Sequence, residues 1–205
     1  MKFNFFIFLA ALFSLTSCTD SRLIKYTESK VFPISAEMSE SSKMITGYIE
    51  STKLKSLFDI PADGKVESFN ITGLNLVLER LPSSEADLLD YNITFKNKEG
   101  FCLLANKKDR DVSVLFGKKS FNISSELNKY CVNELECNID YLLSGEPYSC
   151  NPGILEYIMS ISARDFAGQP KNFVGKVTGQ LSLQVVYSVC ESFPEGMFSD
   201  YPKCK

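Results

Sequence analysis

Apolar and polar residues alternate at every second position through much of this sequence, which is the pattern of β-strands that bury one face. The clearest segment is 173–189, where odd positions carry the apolar side chains and even positions carry mainly Lys, Thr, Gln and Ser. The apolar set is Phe173, Val177, Leu181, Leu183, Val185, Tyr187 and Val189. A helix would spread the two sets around its circumference, so the pattern predicts one long strand.

The same alternation recurs in shorter segments. Residues 155–163 predict a strand that a turn at 165–170 joins to the long one. Residues 91–95 and 101–105, separated by Asn97-Lys98-Glu99-Gly100, predict a hairpin. The remaining strand candidates are 23–34, 43–49 and 112–116, the last of them followed by a turn at 117–120 and a further short strand.

The segment 65–80 changes phase part-way along. Its apolar residues are odd-numbered at Phe69 and Ile71 and even-numbered at Leu74, Leu76 and Leu78, with Gly73 at the change. A β-bulge at the glycine would add one residue and keep both halves facing the core. The alternative is a two-residue turn at Thr72-Gly73, whose arms would be very short.

Two segments carry apolar residues at helical spacing. Residues 52–58 predict a short helix that ends at Asp59 and Pro61. Residues 133–144 predict a second helix, with Asn133 as its N-cap and Glu136 in capping-box register.

Seven or eight strands with short connections and one or two short helices predict an all-β fold, an antiparallel β-sandwich of Ig-like or related type. A parallel sheet would need a helix between successive strands, and most connections here are too short. Composition shows no internal repeat and no step that would divide the chain.

The first 18 residues, MKFNFFIFLAALFSLTSC, have a different pattern. One cation, Lys2, precedes an apolar run from Phe5 to Leu15, which as a helix would rise about 16 Å and cover about half of a hydrocarbon core. This is the pattern of a secretory signal peptide. The tetrapeptide Leu15-Thr16-Ser17-Cys18, where the run stops, resembles the lipobox of bacterial lipoproteins.

The resemblance implies that the chain is cut before Cys18 and that this cysteine carries acyl chains, palmitate among them, which hold the protein on a membrane. The residue directly after the cysteine is not acidic, which in that family favours the outer membrane over the inner one. The body of the chain is similar only in layout to β-sandwich envelope lipoproteins. The expected divisions are a signal peptide (1–17), a lipidated tether (18–22), a sandwich domain (23–190) and a disulfide-tied tail (191–205). A plain cleaved signal, with Cys18 incidental, is the alternative.

Six further cysteines remain: Cys102, Cys131, Cys137, Cys150, Cys190 and Cys204. Their even number, together with a secretory signal, predicts up to three disulfides. We expect Cys190 to pair with Cys204, because the first ends a predicted strand and the second lies in a tail that nothing else holds. A second disulfide is expected between two of Cys131, Cys137 and Cys150. No Cys-x-x-Cys pair and no histidine is present, so a metal site is not expected.

The 205 residues include no histidine, which excludes Ser-His-Asp and Cys-His catalysis and every His-ligated metal or haem site. A net charge of −3 argues against a nucleic-acid partner. No cofactor motif is present. The strongest acidic cluster, Glu79, Glu85, Asp87 and Asp90, fits either carboxylate-based hydrolysis or a simply solvated loop.

These observations favour a non-enzymatic role in the cell envelope. The leading hypothesis is a lipid-anchored binding or scaffolding module for a protein or a glycan, facing either the periplasm or the outside. A glycosidase-like hydrolase built on the acidic cluster and a purely structural envelope protein are the alternatives.

Overall fold

A computed structural model describes residues 19–115, 117–144, 150, 154–194 and 200–204, which fold into two four-stranded antiparallel sheets packed against each other. The strands are β1 (Thr19–Glu40), β2 (Ser42–Ile49), β3 (Lys65–Arg80), β4 (Leu88–Asn97), β5 (Gly100–Asp111), β6 (Gly117–Asn122), β7 (Leu155–Arg164) and β8 (Phe173–Pro194). The helices are α1 (Ser51–Leu57) and α2 (Lys129–Ser144), with a 3₁₀ turn at Ser124–Glu126. Sheet 1 has the order β1-β8-β3-β6 and sheet 2 the order β2-β7-β4-β5. This is the all-β sandwich that the alternation predicts.

The two ends of the molecule are built differently. We call the upper end the one at which β1 finishes, with Glu40 opposite Phe173, and the lower end the one at which Thr19 pairs with Pro194. The four direct connections between a strand of one sheet and a strand of the other, namely β1–β2, β3–β4, β5–β6 and β7–β8, lie at the upper end. The helices interrupt the chain between β2 and β3 and between β6 and β7.

One continuous core joins the two ends. In the upper half the sheets touch directly, and a β-carbon on Gly179 of β8 would lie only 3.1 Å from the Ile93 Cδ1 atom of sheet 2. In the lower half the helices cover sheet 1: Phe58, just after α1, meets Phe69 of β3 edge to face with ring centroids 6.2 Å apart. Helix α2 contacts β3, β5 and α1 and buries the stripe Cys131, Leu135, Ile139 and Leu143.

The phase change in β3 is a β-bulge, as predicted. Pairing with β8 passes from Ile71 directly to Gly73, so Thr72 is the extra residue, and the strand runs on without a turn. The Ile71 amide at the bulge donates a hydrogen bond to the Glu136 carboxylate, 2.6 Å away. A β-carbon at position 73 would lie 2.9 Å from the Ser124 hydroxyl, so glycine leaves room for the hydrogen bond that this hydroxyl accepts from the Leu74 amide, 3.0 Å away.

Helix α2 begins four residues earlier than predicted. The Asn128 side-chain oxygen accepts hydrogen bonds from the amides of Tyr130 (3.0 Å) and Cys131 (3.4 Å), so Asn128 caps the helix. The prediction of Asn133 as N-cap is therefore wrong, and Glu136 stabilises the bulge in β3 rather than closing a capping box.

The strand predicted at 112–116 is also wrong. The Asp111 carboxylate accepts hydrogen bonds from the Ser113 amide (2.9 Å) and hydroxyl (2.7 Å), which turns the chain there. Val112 is buried and Val114 is exposed, while Phe116 lies outside the described residues. Strand β6 occupies the segment expected to form the following turn.

Residues 19–22 of the expected tether and 191–194 of the expected tail belong to strands. Strand β1 starts at Thr19 and β8 continues to Pro194, so the predicted boundaries at 22/23 and 190/191 fall inside paired strands. Cys18 and the rest of the predicted signal peptide lie outside the described residues.

The six cysteines form three pairs, all in the lower half. Cys102 joins β5 to Cys131 of α2, Cys137 of α2 joins Cys150, and Cys190 of β8 joins Cys204; the Cα–Cα distances are 5.4, 5.9 and 6.0 Å. The Cys190–Cys204 pair is the one predicted, and Cys137–Cys150 joins two of the three cysteines named for the second disulfide.

Candidate functional site

The outer face of sheet 2 carries a row of aligned residues across its four strands, and three of the four are polar. In β4, Leu89, Tyr91, Ile93 and Phe95 are buried, so the alternate residues face outward. The registers place Asn92 of β4 opposite Ser160 of β7 and Asn106 of β5, and Ser160 opposite Met44 of β2. The row therefore reads Met44, Ser160, Asn92, Asn106 from one edge of the sheet to the other.

This row lies in a concavity of about 440 Å³. Its lining combines hydroxyl and amide groups, three charged side chains and three larger apolar or aromatic residues: Ser42, Ser160, Ser162, Asn92 and Asn106; Lys43, Lys108 and Asp90; Met44, Tyr91 and Ile161. Serine hydroxyls and asparagine amides both donate and accept hydrogen bonds. The concavity is therefore suited to a ligand that also carries both kinds of group.

A three-residue ion cluster borders the concavity on its upper side. The Arg164 guanidinium of β7 pairs with Asp90 at 3.1 Å and with Asp109, and the Asp109 amide donates to the Asp90 carboxylate at 2.7 Å. The hydrogen bonds to Asp109 and Asp90 raise the pKa of Arg164 above its ordinary value. Asp109 has a φ of 57°, a left-handed conformation that aspartate tolerates. The cluster ties β4, β5 and β7 together and fixes the shape of this rim.

Beneath the concavity is Tyr91, whose ring belongs to the core. Its phenol donates a hydrogen bond to Glu126 at 2.9 Å. Burial, followed by this hydrogen bond, raises the pKa of Tyr91 well above its ordinary value. The phenol is therefore neutral and held in the core behind the concavity.

Two aromatic rings stand on the same outer face nearer the lower end. The register aligns Tyr48, Glu156, Lys96 and Phe101 in a second row across the four strands. Tyr48 is 51% exposed and Phe101 is 66% exposed, and the Lys96 ammonium lies 5.2 Å from the centroid of the Phe101 ring. The two rings stand at opposite edges of the sheet, about 14 Å apart by strand spacing. The face thus combines a polar concavity with exposed aromatic edges.

The acidic residues singled out in the sequence are divided between the two sheets. Glu79 lies on the outer face of sheet 1, opposite Lys118 of β6 and Lys176 of β8, and Asp90 is engaged by Arg164 on sheet 2. They line different concavities. Glu85 is exposed in the β3–β4 loop, and Asp87 accepts a hydrogen bond from the Phe166 amide at 3.4 Å. Glu79 and Asp90 therefore do not face each other across one cavity.

Alternation in the sequence shows that Asn92 faces outward, but the row to which it belongs depends on pairing between strands distant in sequence. Asn92 meets Ser160, 68 positions further along, and nothing in the local pattern of either segment signals the other. Within the described ranges, no three His, Cys, Asp or Glu side chains group so as to hold a metal ion. Over the same part of the chain, no helix is both long and apolar enough to cross a membrane.

Comparison with known proteins reveals no close relative: no family model and no curated protein matches the sequence. Among solved structures, the fold is similar to that of Desmodium yellow mottle tymovirus, at 10% identity over 83% of this chain and 90% of that chain, with a TM-score of 0.34. It is also similar to the VP2 subviral particle of infectious bursal disease virus, at 13% identity over 84% of this chain and 38% of that chain, with a TM-score of 0.30. Likenesses with TM-scores this low carry no argument about what the chain does.

Proposed function

We propose that this chain is a lipid-anchored cell-envelope protein, on the outer membrane, that binds a glycan on the outer face of sheet 2. The observation that carries the proposal is the row of hydroxyl and amide groups, Ser160, Asn92 and Asn106, inside the 440 Å³ concavity. A sugar presents hydroxyl groups that donate and accept hydrogen bonds, and the serine and asparagine side chains of this lining can pair with them in both ways.

The exposed apolar groups of the same face support a glycan over a protein partner. Met44, Tyr48 and Phe101 are well separated on the sheet, and each can cover an apolar patch of a sugar ring. A protein interface has a desolvated apolar centre with a polar rim, whereas three polar residues, Ser160, Asn92 and Asn106, cross the concavity here. The Leu15-Thr16-Ser17-Cys18 tetrapeptide supports the anchor.

The glycan site is tested by titrating the domain with soluble peptidoglycan fragments and, separately, with polysaccharide released from outer membranes. The Asn92→Ala/Asn106→Ala variant should bind about 5- to 150-fold more weakly to whichever probe the natural chain binds, because each of the two lost hydrogen bonds contributes about 0.5–1.5 kcal/mol. Asn70→Ala is the matched control, an exposed asparagine on β3 of the other sheet. No binding of either probe, or an equal loss in Asn70→Ala, would overturn the glycan site.

The anchor is tested independently of the glycan. Cells grown with a palmitate analogue should label the natural protein and fail to label Cys18→Ala, which should leave the membrane fraction. Equal labelling of the two proteins would refute lipidation at this residue.

A further inference from the structure

The lower end of sheet 1 is closed by a short segment from elsewhere in the chain. Residues 200–204 run beside the first residues of β1, with Arg22 and Lys203 forming an antiparallel bridge. The Leu23 amide donates to the Pro202 carbonyl at 2.9 Å, and the Cys204 amide donates to the Ser21 carbonyl at 3.1 Å. This segment therefore occupies part of the free edge of β1.

A side chain and a disulfide fix the segment further. The Arg22 guanidinium, which is 9% exposed, donates to the Tyr201 carbonyl at 2.8 Å. Cys204 is bonded to Cys190, which lies opposite Leu23 in the β1–β8 register. We call Ser21–Leu23, Cys190 and residues 200–204 together the clamp. It joins the beginning of β1, the end of β8 and a third length of chain.

The clamp lies next to the proposed acylation site. Thr19 is already paired in β1, so a single peptide link, about 3.8 Å between Cα atoms, separates Cys18 from the sheet. From Thr19 on, the 18–22 tether expected from the sequence is part of β1. An acylated Cys18 would bring the clamp to the bilayer surface, where tyrosine side chains are favoured. Tyr201 in the clamp is 44% exposed.

We propose that the clamp is a membrane-contact surface that holds the domain upright on the bilayer, an inference that rests on the lipid anchor of the proposed function. Strand β1 extends about 70 Å over its 22 residues, from the clamp to the upper end. Strand β2 begins beside that upper end, so the concavity on sheet 2 is held well away from the lipid. The partner of the clamp is the lipid headgroup surface.

Neutron reflectometry of the lipidated protein on supported bilayers of phosphatidylethanolamine and phosphatidylglycerol tests this orientation. The natural protein should form a layer about 70 Å thick that begins at the headgroups. Inserting ten Gly and Ser residues between Cys18 and Thr19 should make the layer thinner and more diffuse, because the domain then lies at all angles. A natural layer as thin as that of the insertion variant would overturn the inference while leaving the anchor intact.

The role of the clamp is tested with a matched pair of disulfide variants. Cys190→Ser/Cys204→Ser should thin the layer and increase hydrogen exchange at the Leu23 amide at least about tenfold. Cys137→Ser/Cys150→Ser removes a disulfide that closes a similar loop, 13 residues against 14, and should change neither quantity. The same thickness and the same Leu23 exchange in Cys190→Ser/Cys204→Ser as in the natural protein would overturn the clamp. Failure of the natural protein to attach at all would instead contradict the proposed anchor.

Discussion

The upper and lower halves of the molecule bury their core residues by different means. In the upper half, two sheets pack face to face and four direct connections cross between them. In the lower half, sheet 1 is covered by α1 and α2, and all three disulfides are found there. In the upper half each sheet covers the other, whereas in the lower half helices of 7 and 16 residues cover sheet 1. Covalent links therefore stabilise the half whose packing is less regular.

The largest expected difference between the halves follows reduction. The loops closed by the disulfides span 29, 13 and 14 residues, and each disulfide contributes about 3 kcal/mol in the chain-entropy account. Under mild dithiothreitol, hydrogen exchange in α2 should increase at least about 100-fold more than in β4 and β7. Equal increases in α2 and in the two strands would show that the disulfides do not stabilise the lower half in particular.

A smaller effect separates two fully buried phenylalanines, one from each half. Phe58 packs against Phe69 in the lower half, and Phe173 begins β8 at the upper end. Replacing either by alanine should lower the free energy of unfolding by about 3–5 kcal/mol. With the disulfides intact, Phe58→Ala should increase exchange around α1 and β3, and Phe173→Ala should increase it in the upper strands. Urea unfolding and exchange mass spectrometry measure the two quantities, and identical exchange patterns would argue against two distinct halves.

The strands are more predictable from the sequence than the helices. Strands that bury one face alternate with period two, and this signal gave β7, β8, the β4–β5 hairpin and even the bulge next to Gly73. The bulge could be found because an extra residue changes the phase of the pattern itself. The turn at Asp111–Ser113 was missed because Val112 and Val114 alternate as strand residues do, while one carboxylate bends the chain.

The lower half depends on contacts that no local pattern contains. Asn128 and Asn133 are equally good N-caps by residue type, and the choice follows from the burial of Cys131 against Cys102. Glu136 suits a capping box, but its partner is an amide on β3, 65 positions earlier. The candidate site is equally hard to predict from the sequence, because its rows of residues form only when strands distant in sequence pair. The sequence shows which chemical group each position carries, but it does not show which residues lie beside that group in the folded protein.

The smallest predicted effect concerns alkali, which should destabilise the upper half more than the lower half, the opposite of what reduction does. The pKa of Tyr91 is raised by burial and by its hydrogen bond to Glu126, so folding favours the neutral phenol. Its contribution to stability is complete below the unfolded pKa of about 10 and is lost as the pH rises from there toward the folded value. Between pH 10 and 11 the free energy of unfolding should therefore fall by up to about 1.4 kcal/mol through this residue.

Tyr91→Phe should remove that part of the slope in urea titrations at pH 9.5, 10.5 and 11. Tyr26 of the lower half provides the matched comparison, since its hydrogen bond to Glu191 also raises its pKa but its side chain is only partly buried. Solvent screens that interaction, so Tyr26→Phe should change the slope less than Tyr91→Phe. If Tyr26→Phe removed the larger share, the lower half would be the alkali-sensitive one. Reductant and alkali would then destabilise the same half. The upper half could then no longer be distinguished as the one that depends on packing, nor the lower half as the one that depends on disulfides.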